Sequence, residues 1–299
     1  MSTNYGHKNY HTCAVVSTEL AGLLLTTLPK IGKLRLLLLT LNRGAPLVIN
    51  AIMFIVTTAC YLLLIDFRIL FQRIFWSPSV EPLANSIGPQ AAHWILANAR
   101  LFMGIQLKNE TAKNLINSLP PRFIALTNHQ SLFDILIVFD LFYKFDIRFV
   151  AKSTLKNGFP GVSQVLRFGR HALIDRKGSA RKTFEHMSSF ARRCVSKGYC
   201  PAIFPEGTRS RTGDLGTFHP AGLRMILDQG TVPVVVAALD GGYRIATVRD
   251  FFGPGSKKLK MKILQVFPPP QGKEDTKQLL EKAKGLIDQQ LIAWRQSGP

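Results

Sequence analysis

The feature that most limits how this chain can fold is an uncharged apolar segment, Ala45–Ile65. About 20 helical residues span the hydrocarbon core of a bilayer, so this segment is long enough to be a membrane helix. The alternative is a buried core helix, but a core helix this long and uncharged is unusual. We expect residues 1–76 to form a membrane-anchoring helical region, spanning the bilayer or dipping into one leaflet, and residues 77–299 to form a second domain.

Beyond residue 77, short apolar runs alternate with helical patterns. The predicted strands are rich in Val, Ile and Phe and are bounded by Gly, Pro or Asn: Phe123–Thr127, Arg148–Ala151, Ala172–Ile174, Ala202–Phe204, Val232–Leu239 and Met261–Phe267. The predicted helices lie near 130–143, 178–197 and 218–229, with a helical tail from Glu274 to Arg295. This alternation predicts an α/β fold with a largely parallel central sheet covered by helices.

The first polar motif, Asn128-His129-Gln130-Ser131-Leu132-Phe133-Asp134, follows a predicted strand. On one continuous helix, side chains five residues apart diverge, so His129 and Asp134 can meet only if His129 precedes the helix and Asp134 lies in its first turn. An aspartate bonded to one imidazole nitrogen leaves the other free to accept a proton. The alternatives are a helix cap with an incidental histidine, or a metal site that lacks a third ligand.

The second motif, Phe204-Pro205-Glu206-Gly207-Thr208-Arg209, follows another predicted strand. Arg209 can bind a phosphate through two parallel hydrogen bonds, and Gly207 allows a tight turn or a close approach to a ligand. Glu206 has two interpretations, as an acceptor for a ligand hydroxyl or as a partner that holds Arg209. The alternative for the whole motif is a charged surface turn.

Charge indicates an anionic partner. The chain carries 38 Lys and Arg against 18 Asp and Glu, a formal net charge of +20, and residues 147–211 hold fourteen cations and three acids. Such a balance suits acidic lipid, a phosphorylated ligand or nucleic acid. No nucleic-acid-binding motif is present, and no C-x-x-C pair suggests a metal or redox site, so we expect anionic membrane lipids, no nucleic acid and no metal.

These motifs resemble the lysophosphatidic acid and glycerol-phosphate acyltransferase family, over about residues 120–240. That family's first motif, N-H-x-x-x-x-D, matches Asn128 to Asp134, and its third, F-P-E-G-T-R-S, matches Phe204 to Ser210. Its second motif ends in I-D-R, as Ile174-Asp175-Arg176 does here. The fourth usually has two prolines, and here only Pro233 is kept.

The resemblance implies a function and a set of site residues. The expected reaction transfers an acyl group from acyl-CoA or acyl carrier protein, as co-substrate and without a cofactor, to the free hydroxyl of 1-acylglycerol-3-phosphate. His129 and Asp134 would be catalytic, and the substrate would be bound by Arg176, Glu206, Gly207, Thr208 and Arg209. The expected location is a membrane, the inner membrane in a bacterium, with the catalytic domain on its cytoplasmic face.

Two other functions stay open at this point. The acceptor can be another lysolipid, such as a lysophospholipid or a lyso-aminolipid, and an assay of several acceptors separates these. The chain can also be a non-catalytic membrane-surface binding module. The intact residues His129, Asp134, Glu206 and Arg209 argue against that second possibility.

Overall fold

The computed structural model of the chain describes residues 47–76, 79–175, 178–255 and 257–296. The chain divides into two units, residues 1–50 and 51–299. Of the first unit, residues 47–50 are described, and they are helical. The apolar segments predicted before residue 47 lie outside the described residues.

Nine α-helices lie within the described parts of the chain. They are α1 (Leu47–Phe75), α2 (Glu81–Met103), α3 (Lys113–Asn117), α4 (Phe133–Leu141), α5 (Val162–Phe168), α6 (Ala180–Lys197), α7 (Ala221–Leu227), α8 (Val248–Phe252) and α9 (Gly272–Gln296). The predicted helical stretches after residue 77 correspond to α4, α6, α7 and α9. Short 3₁₀ turns occur at Ser153–Lys156 and Gly242–Ile245.

Seven strands form one sheet in the order β1-β7-β6-β2-β5-β3-β4. They are β1 (Ile105–Asn109), β2 (Ile124–Thr127), β3 (Ile147–Lys152), β4 (Ala172–Ile174), β5 (Cys200–Ile203), β6 (Val234–Asp240) and β7 (Lys257–Phe267). All neighbouring pairs are parallel except β6 and β7. The largely parallel sheet and its six predicted strands are therefore confirmed. Strand β1 was not predicted, because it is an edge strand in which Gln106, Lys108 and Asn109 are polar and exposed.

Helices cover both faces of this sheet, which explains why the central strands are apolar on both sides. In β2, Ala125 packs with α2 and α4 on one face, while Ile124 and Leu126 pack with α6, α7 and α9 on the other. All four residues of β2 and all seven of β6 are buried. The two packed layers hold the central strands rigidly and thereby fix the loops that follow them.

Helix α1 is not a buried core helix. It is long and apolar enough to cross a membrane by length and composition, with a mean hydropathy of 2.4, yet only 11% of that apolar window is buried. The side of α1 that faces the rest of the domain makes polar contacts with it. The Asn98 amide of α2 donates to the hydroxyls of Thr57 and Thr58, at 2.9 and 2.8 Å. The backbone N–H of Gly161, just before α5, donates to Asp66 at 2.9 Å.

Candidate active site

The two polar motifs lie at the carboxyl ends of neighbouring strands. Strand β2 lies between β5 and β6, so the loop after β2 is flanked by the loops after both neighbours. The first motif follows β2 and the second follows β5. In open α/β sheets, ligands bind in the crevice outside the carboxyl ends of the strands. The fold therefore brings both motifs to the edge where a substrate is expected.

Asn128 ties the first motif to strand β6. Its side-chain amide donates to the Leu239 carbonyl at 2.8 Å, and its oxygen accepts from the Leu239 N–H at 2.9 Å. The side chain is buried, so these bonds replace water that cannot reach it. Asn128 is therefore not a helix cap; it fixes the start of the loop that carries His129.

Replacing Asn128 by alanine is expected to lower the free energy of unfolding by about 2–3 kcal/mol, because both backbone groups of Leu239 are left buried without a partner. Denaturant unfolding of the detergent-solubilised protein measures this loss. Asn117→Ala, at an exposed position in α3, is the control and should change stability by less than about 0.5 kcal/mol. Equal stability of the two variants would contradict the structural role of Asn128.

His129 and Asp134 meet as the sequence required. His129 lies in the loop after β2, Asp134 lies in the first turn of α4, and the His129 Nδ1 is 2.9 Å from Asp134 Oδ2. A carboxylate accepts at this distance from Nδ1–H, so the bond fixes the tautomer in which Nε2 carries the lone pair. No hydrogen bond to Nε2 occurs among the described residues.

The Asp134 carboxylate is itself held in place. Its Oδ2 also accepts from the backbone N–H groups of Gln130 and Ser131, at 2.5 and 2.8 Å, and its Oδ1 accepts from the Ser131 hydroxyl at 3.2 Å. The side chain is 1% exposed. A carboxylate with this many donors cannot rotate freely, so the imidazole that it holds is oriented as well.

The imidazole of His129 also has an aromatic neighbour. The Phe204 ring, at the end of β5, stacks on it with 4.0 Å between the ring centroids and 15° between the planes. The His129 side chain is 14% exposed. Stacking and the bond to Asp134 together hold the ring, and its partial exposure leaves an approach for a substrate.

Glu206 binds the backbone of the site and not Arg209. Its Oε1 accepts from the His129 N–H at 2.8 Å, and its Oε2 accepts from the Gly216 N–H at 2.9 Å. Glu206 is buried, so the motif is not simply a charged surface turn. Burial raises the pKa of the Glu206 carboxyl, while the two backbone N–H groups oppose that rise. The Glu206 carboxylate therefore links the second motif to the first through the backbone N–H of His129, the candidate base.

The rest of the second motif lies at the surface beside that carboxyl. Gly207 has a φ of +65°, a left-handed conformation that glycine adopts without strain, and it turns the chain outward after Glu206. Thr208 and Arg209 are exposed. The next residue, Ser210, donates its N–H to the His129 carbonyl at 2.8 Å. The Arg209 backbone is therefore one residue from a direct contact with the candidate base. Arg176 lies outside the described residues.

A set of contacts that the sequence did not predict supports the loop after the second motif. Arg295, near the end of α9, donates to the Gly213 carbonyl at 2.7 Å and lies 3.6 Å from Asp240 of β6. The Gln130 amide donates to the same two partners, at 3.4 and 3.3 Å. Arg295 is 165 positions from Gln130, and only the folded structure reveals this link.

Gly242 approaches the site closely from the turn after β6. A Cβ at this position would lie 2.8 Å from Asp134 Oδ1 and 2.9 Å from the Ser131 hydroxyl oxygen. Those distances are too short for an unaltered site, so the bare backbone of glycine is needed beside the carboxylate. The sequence contains no signal for this contact.

Residues 108–240 match the protein-family model described as Acyltransferase. This stretch contains both motifs and the strands β2 to β6 that position them. The match confirms the family resemblance that the motifs indicated.

The chain is also similar to two proteins named 1-acyl-sn-glycerol-3-phosphate acyltransferase. The chain is 31% identical to the one from Cocos nucifera over 148 residues, which are 50% of this chain and 43% of that protein. It is 23% identical to the human beta form over 177 residues, 58% of this chain and 60% of that protein. The chain thus matches about half the length of these relatives.

A solved structure confirms the fold. The crystal structure of the 1-acyl-sn-glycerophosphate (LPA) acyltransferase PlsC from Thermotoga maritima superposes with a TM-score of 0.60. The similarity covers 83% of this chain and 95% of that one, at 21% sequence identity. The predicted α/β class, with its largely parallel sheet and flanking helices, is the fold of that protein.

Proposed function

We propose that this protein is an O-acyltransferase that acylates the free hydroxyl of 1-acylglycerol-3-phosphate and so forms phosphatidic acid. The observation that carries the proposal is the 2.9 Å contact between His129 and a buried, fully bonded Asp134, beside the F-P-E-G-T-R motif. The names of the two relatives and the family match support the same class of reaction.

The geometry of His129 supports direct transfer. Nε2 takes the proton of the acceptor hydroxyl while that oxygen attacks the thioester carbonyl of acyl-CoA or acyl carrier protein. A carbon–oxygen bond forms, the carbon–sulfur bond breaks, and the thiolate leaves and takes up the proton from His129. Asp134 stabilises the imidazolium that exists between the two proton transfers. This route needs no covalent enzyme intermediate, so the two substrates must be held together.

The remaining candidate residues are proposed to hold the acceptor. Arg209 and Arg176 would bind its phosphate, and Gly207 and Thr208 would border it. Glu206 does more than bind the substrate, because its two oxygens already accept from the backbone N–H groups of His129 and Gly216. We propose that it positions the His129 backbone while it faces the glycerol part of the acceptor.

Arg209→Lys is expected to raise the KM for the phosphorylated acceptor by at least about tenfold, because an ammonium cannot reproduce the planar fork of a guanidinium. The KM for the acyl donor should change less. Steady-state kinetics with both substrates varied measures the difference. Arg181→Lys, at an exposed arginine paired with Glu185 on α6, is the control and should leave both constants unchanged. Equal increases in the two KM values would argue against a phosphate-binding Arg209.

An acceptor panel tests which lysolipid is used. The purified full-length protein would be given labelled acyl-CoA or acyl-acyl carrier protein with lysophosphatidic acid, lysophosphatidylcholine, a lyso-aminolipid or glycerol 3-phosphate. We expect the highest kcat/KM with lysophosphatidic acid. A preference for an acceptor without a phosphate monoester would move the assignment to another lysolipid, and the absence of transfer to every acceptor would favour a binding module.

We also propose that the protein is held at a membrane through helix α1, with its catalytic domain on the cytoplasmic face. The helix packs along the domain through Thr57, Thr58 and Asp66, so it does not leave the domain. Its other side carries many exposed large apolar residues. An apolar surface of this size is stable when it is buried in lipid, and this arrangement favours insertion of α1 into one leaflet.

The full-length protein is expected to sediment with membranes and to stay bound in a high-salt wash, since salt screens charges but leaves apolar insertion intact. Aspartate at Leu63, Phe67, Leu70 and Ile74, all more than half exposed on α1, should release it. The matched control places aspartate at four exposed apolar residues elsewhere: Tyr143, Phe184, Val248 and Ile292. Release of the unaltered protein by salt alone would show that binding is purely electrostatic.

A further inference from the structure

A cavity lies away from His129, at the point where α2 begins. Its volume is about 480 Å³, within the usual range for small-molecule sites. It is lined by Arg73, Ser79, Val80, Glu81, Lys156, Arg167, Phe168, Arg170 and Leu173. Leu173 belongs to β4, the third strand from β2 in the sheet, so about 14 Å of sheet separates the two strands.

The charges of this cavity are unbalanced. Four of its side chains are cationic and one, Glu81, is acidic. Glu81 is already bonded to Arg170, at 3.1 Å, and to the Tyr199 hydroxyl. Among the described residues, no carboxylate lies within ion-pair distance of Arg73, Lys156 or Arg167. Cations held close together without anionic partners repel one another, and a bound anion offsets this electrostatic repulsion.

Two of these cations are held in place by an aromatic ring. The guanidinium carbons of Arg73 and Arg167 lie 5.7 and 5.5 Å from the centroid of Phe168. Contacts with a ring face orient a guanidinium but do not use all of its N–H donors. Arg170, two residues after Phe168, has a backbone φ of 58°, a left-handed conformation that is uncommon for a non-glycine residue. The cavity thus presents a group of exposed cations, two of which lie beside the same aromatic ring.

The cavity also lies at the end of the apolar helix. Arg73 is in the last turn of α1, and the neighbouring residues Ile74, Phe75 and Trp76 are strongly exposed. Tryptophan and arginine at the end of an apolar segment typically lie at the depth of lipid headgroups. If the apolar side of α1 is embedded in a leaflet, the cavity lies at the level of the lipid phosphates.

From these observations we infer that the cavity binds the phosphate of an anionic membrane lipid, at a site away from His129. The inference rests on the membrane placement proposed above but not on the proposed reaction. Arginine side chains bind phosphate through paired hydrogen bonds, and the acyl chains of the lipid would lie along the exposed side of α1. Such a lipid would fix the depth and tilt of the domain on the membrane.

Native mass spectrometry of the detergent-solubilised full-length protein tests the site. The probes are phosphatidylglycerol, which is neither acceptor nor product of the proposed reaction, phosphatidylcholine of the same acyl chains, and inorganic phosphate. We expect phosphatidylglycerol to bind more tightly than the other two. Arg73→Gln/Arg167→Gln should weaken that binding by at least about tenfold, and Lys156→Gln, which removes an exposed charge, should weaken it severalfold.

The control variant, Arg192→Gln/Lys197→Gln, removes two exposed cations from α6 outside the cavity lining. It should bind phosphatidylglycerol within twofold of the unaltered protein. Equal weakening by the control, equal binding of phosphatidylcholine, or tighter binding of inorganic phosphate would each overturn the proposal.

Activity separates this site from the catalytic one. With a short-chain lysophosphatidic acid that dissolves without vesicles, Arg73→Gln/Arg167→Gln should keep its turnover within about twofold. Loss of that turnover in a folded variant would show that the cavity belongs to the catalytic site, which would overturn the inference. If the unaltered protein catalyses no transfer at all, the proposed function fails, but the lipid-binding comparison still decides the inference.

Discussion

His129→Ala is expected to lower acyl transfer by about 10²–10⁴-fold, the usual contribution of a general base. The loss follows from the position of Nε2, the only imidazole nitrogen left for a substrate once Nδ1 is bonded to Asp134. The effect should appear in kcat, because the proton is transferred in the chemical step. Steady-state turnover of the purified variant measures it, and thermal unfolding in detergent shows whether the variant is folded.

The chain offers a matched control for this substitution. His93 also bonds an aspartate through Nδ1, at 3.0 Å from Asp140, but its side chain is 78% exposed and lies on α2. His93→Ala removes a His–Asp pair with a similar bond length away from the candidate site, and should keep turnover within about twofold. More than a tenth of the original turnover in His129→Ala would contradict the role of general base.

Asp134→Asn is expected to lower turnover by a similar factor, on the order of 10²–10⁴-fold, through the imidazole tautomer. A neutral amide stabilises the imidazolium less than a carboxylate does, and where its NH2 group takes the place of Oδ2 it also forces the imidazole proton onto Nε2, which then cannot accept one from the hydroxyl. The substitution also weakens the bonds from the N–H groups of Gln130 and Ser131. A lowered free energy of unfolding should therefore accompany the loss of turnover.

The control for this second substitution is Asp140→Asn, which makes the same change in the exposed pair with His93. Turnover and stability should both stay close to those of the unaltered protein. If Asp134→Asn lowers stability but keeps its turnover, Asp134 supports only the fold of the loop. Rescue of turnover by glutamate at position 134 is not expected, because Asp134 is buried in the first turn of α4 and a longer side chain would overpack the site.

The fold was largely predictable because its central strands are buried on both faces. Short runs rich in Val, Ile and Phe, such as Phe123–Thr127 and Val232–Leu239, are distinctive of such strands and gave six of the seven. The seventh, β1, is half polar and lies at the edge of the sheet, so no apolar pattern marks it. The antiparallel pairing of β7 with β6 depends on the long-range path of the chain, which local patterns do not contain.

The candidate site was predictable where its residues are close in sequence. His129 and Asp134 are five apart, and the strand-then-helix pattern around them was enough to bring them together. Contacts across the sheet were not predictable, because they depend on strand order. The bond of Glu206 to the His129 N–H and the closeness of Gly242 to Asp134 join loops that follow different strands, and they have no counterpart in any local motif.

The most direct test of the account is the fate of a labelled acyl thioester when it is mixed with the purified protein and lysophosphatidic acid. Acyl-CoA or acyl-acyl carrier protein is expected to lose its label to phosphatidic acid, with one thiol released for each ester formed. His129→Ala should slow both by at least about 10²-fold, and His93→Ala should not. The proposed acyl transfer would be contradicted if neither thioester reacted, or if the label appeared as free fatty acid at the same rate with and without the acceptor.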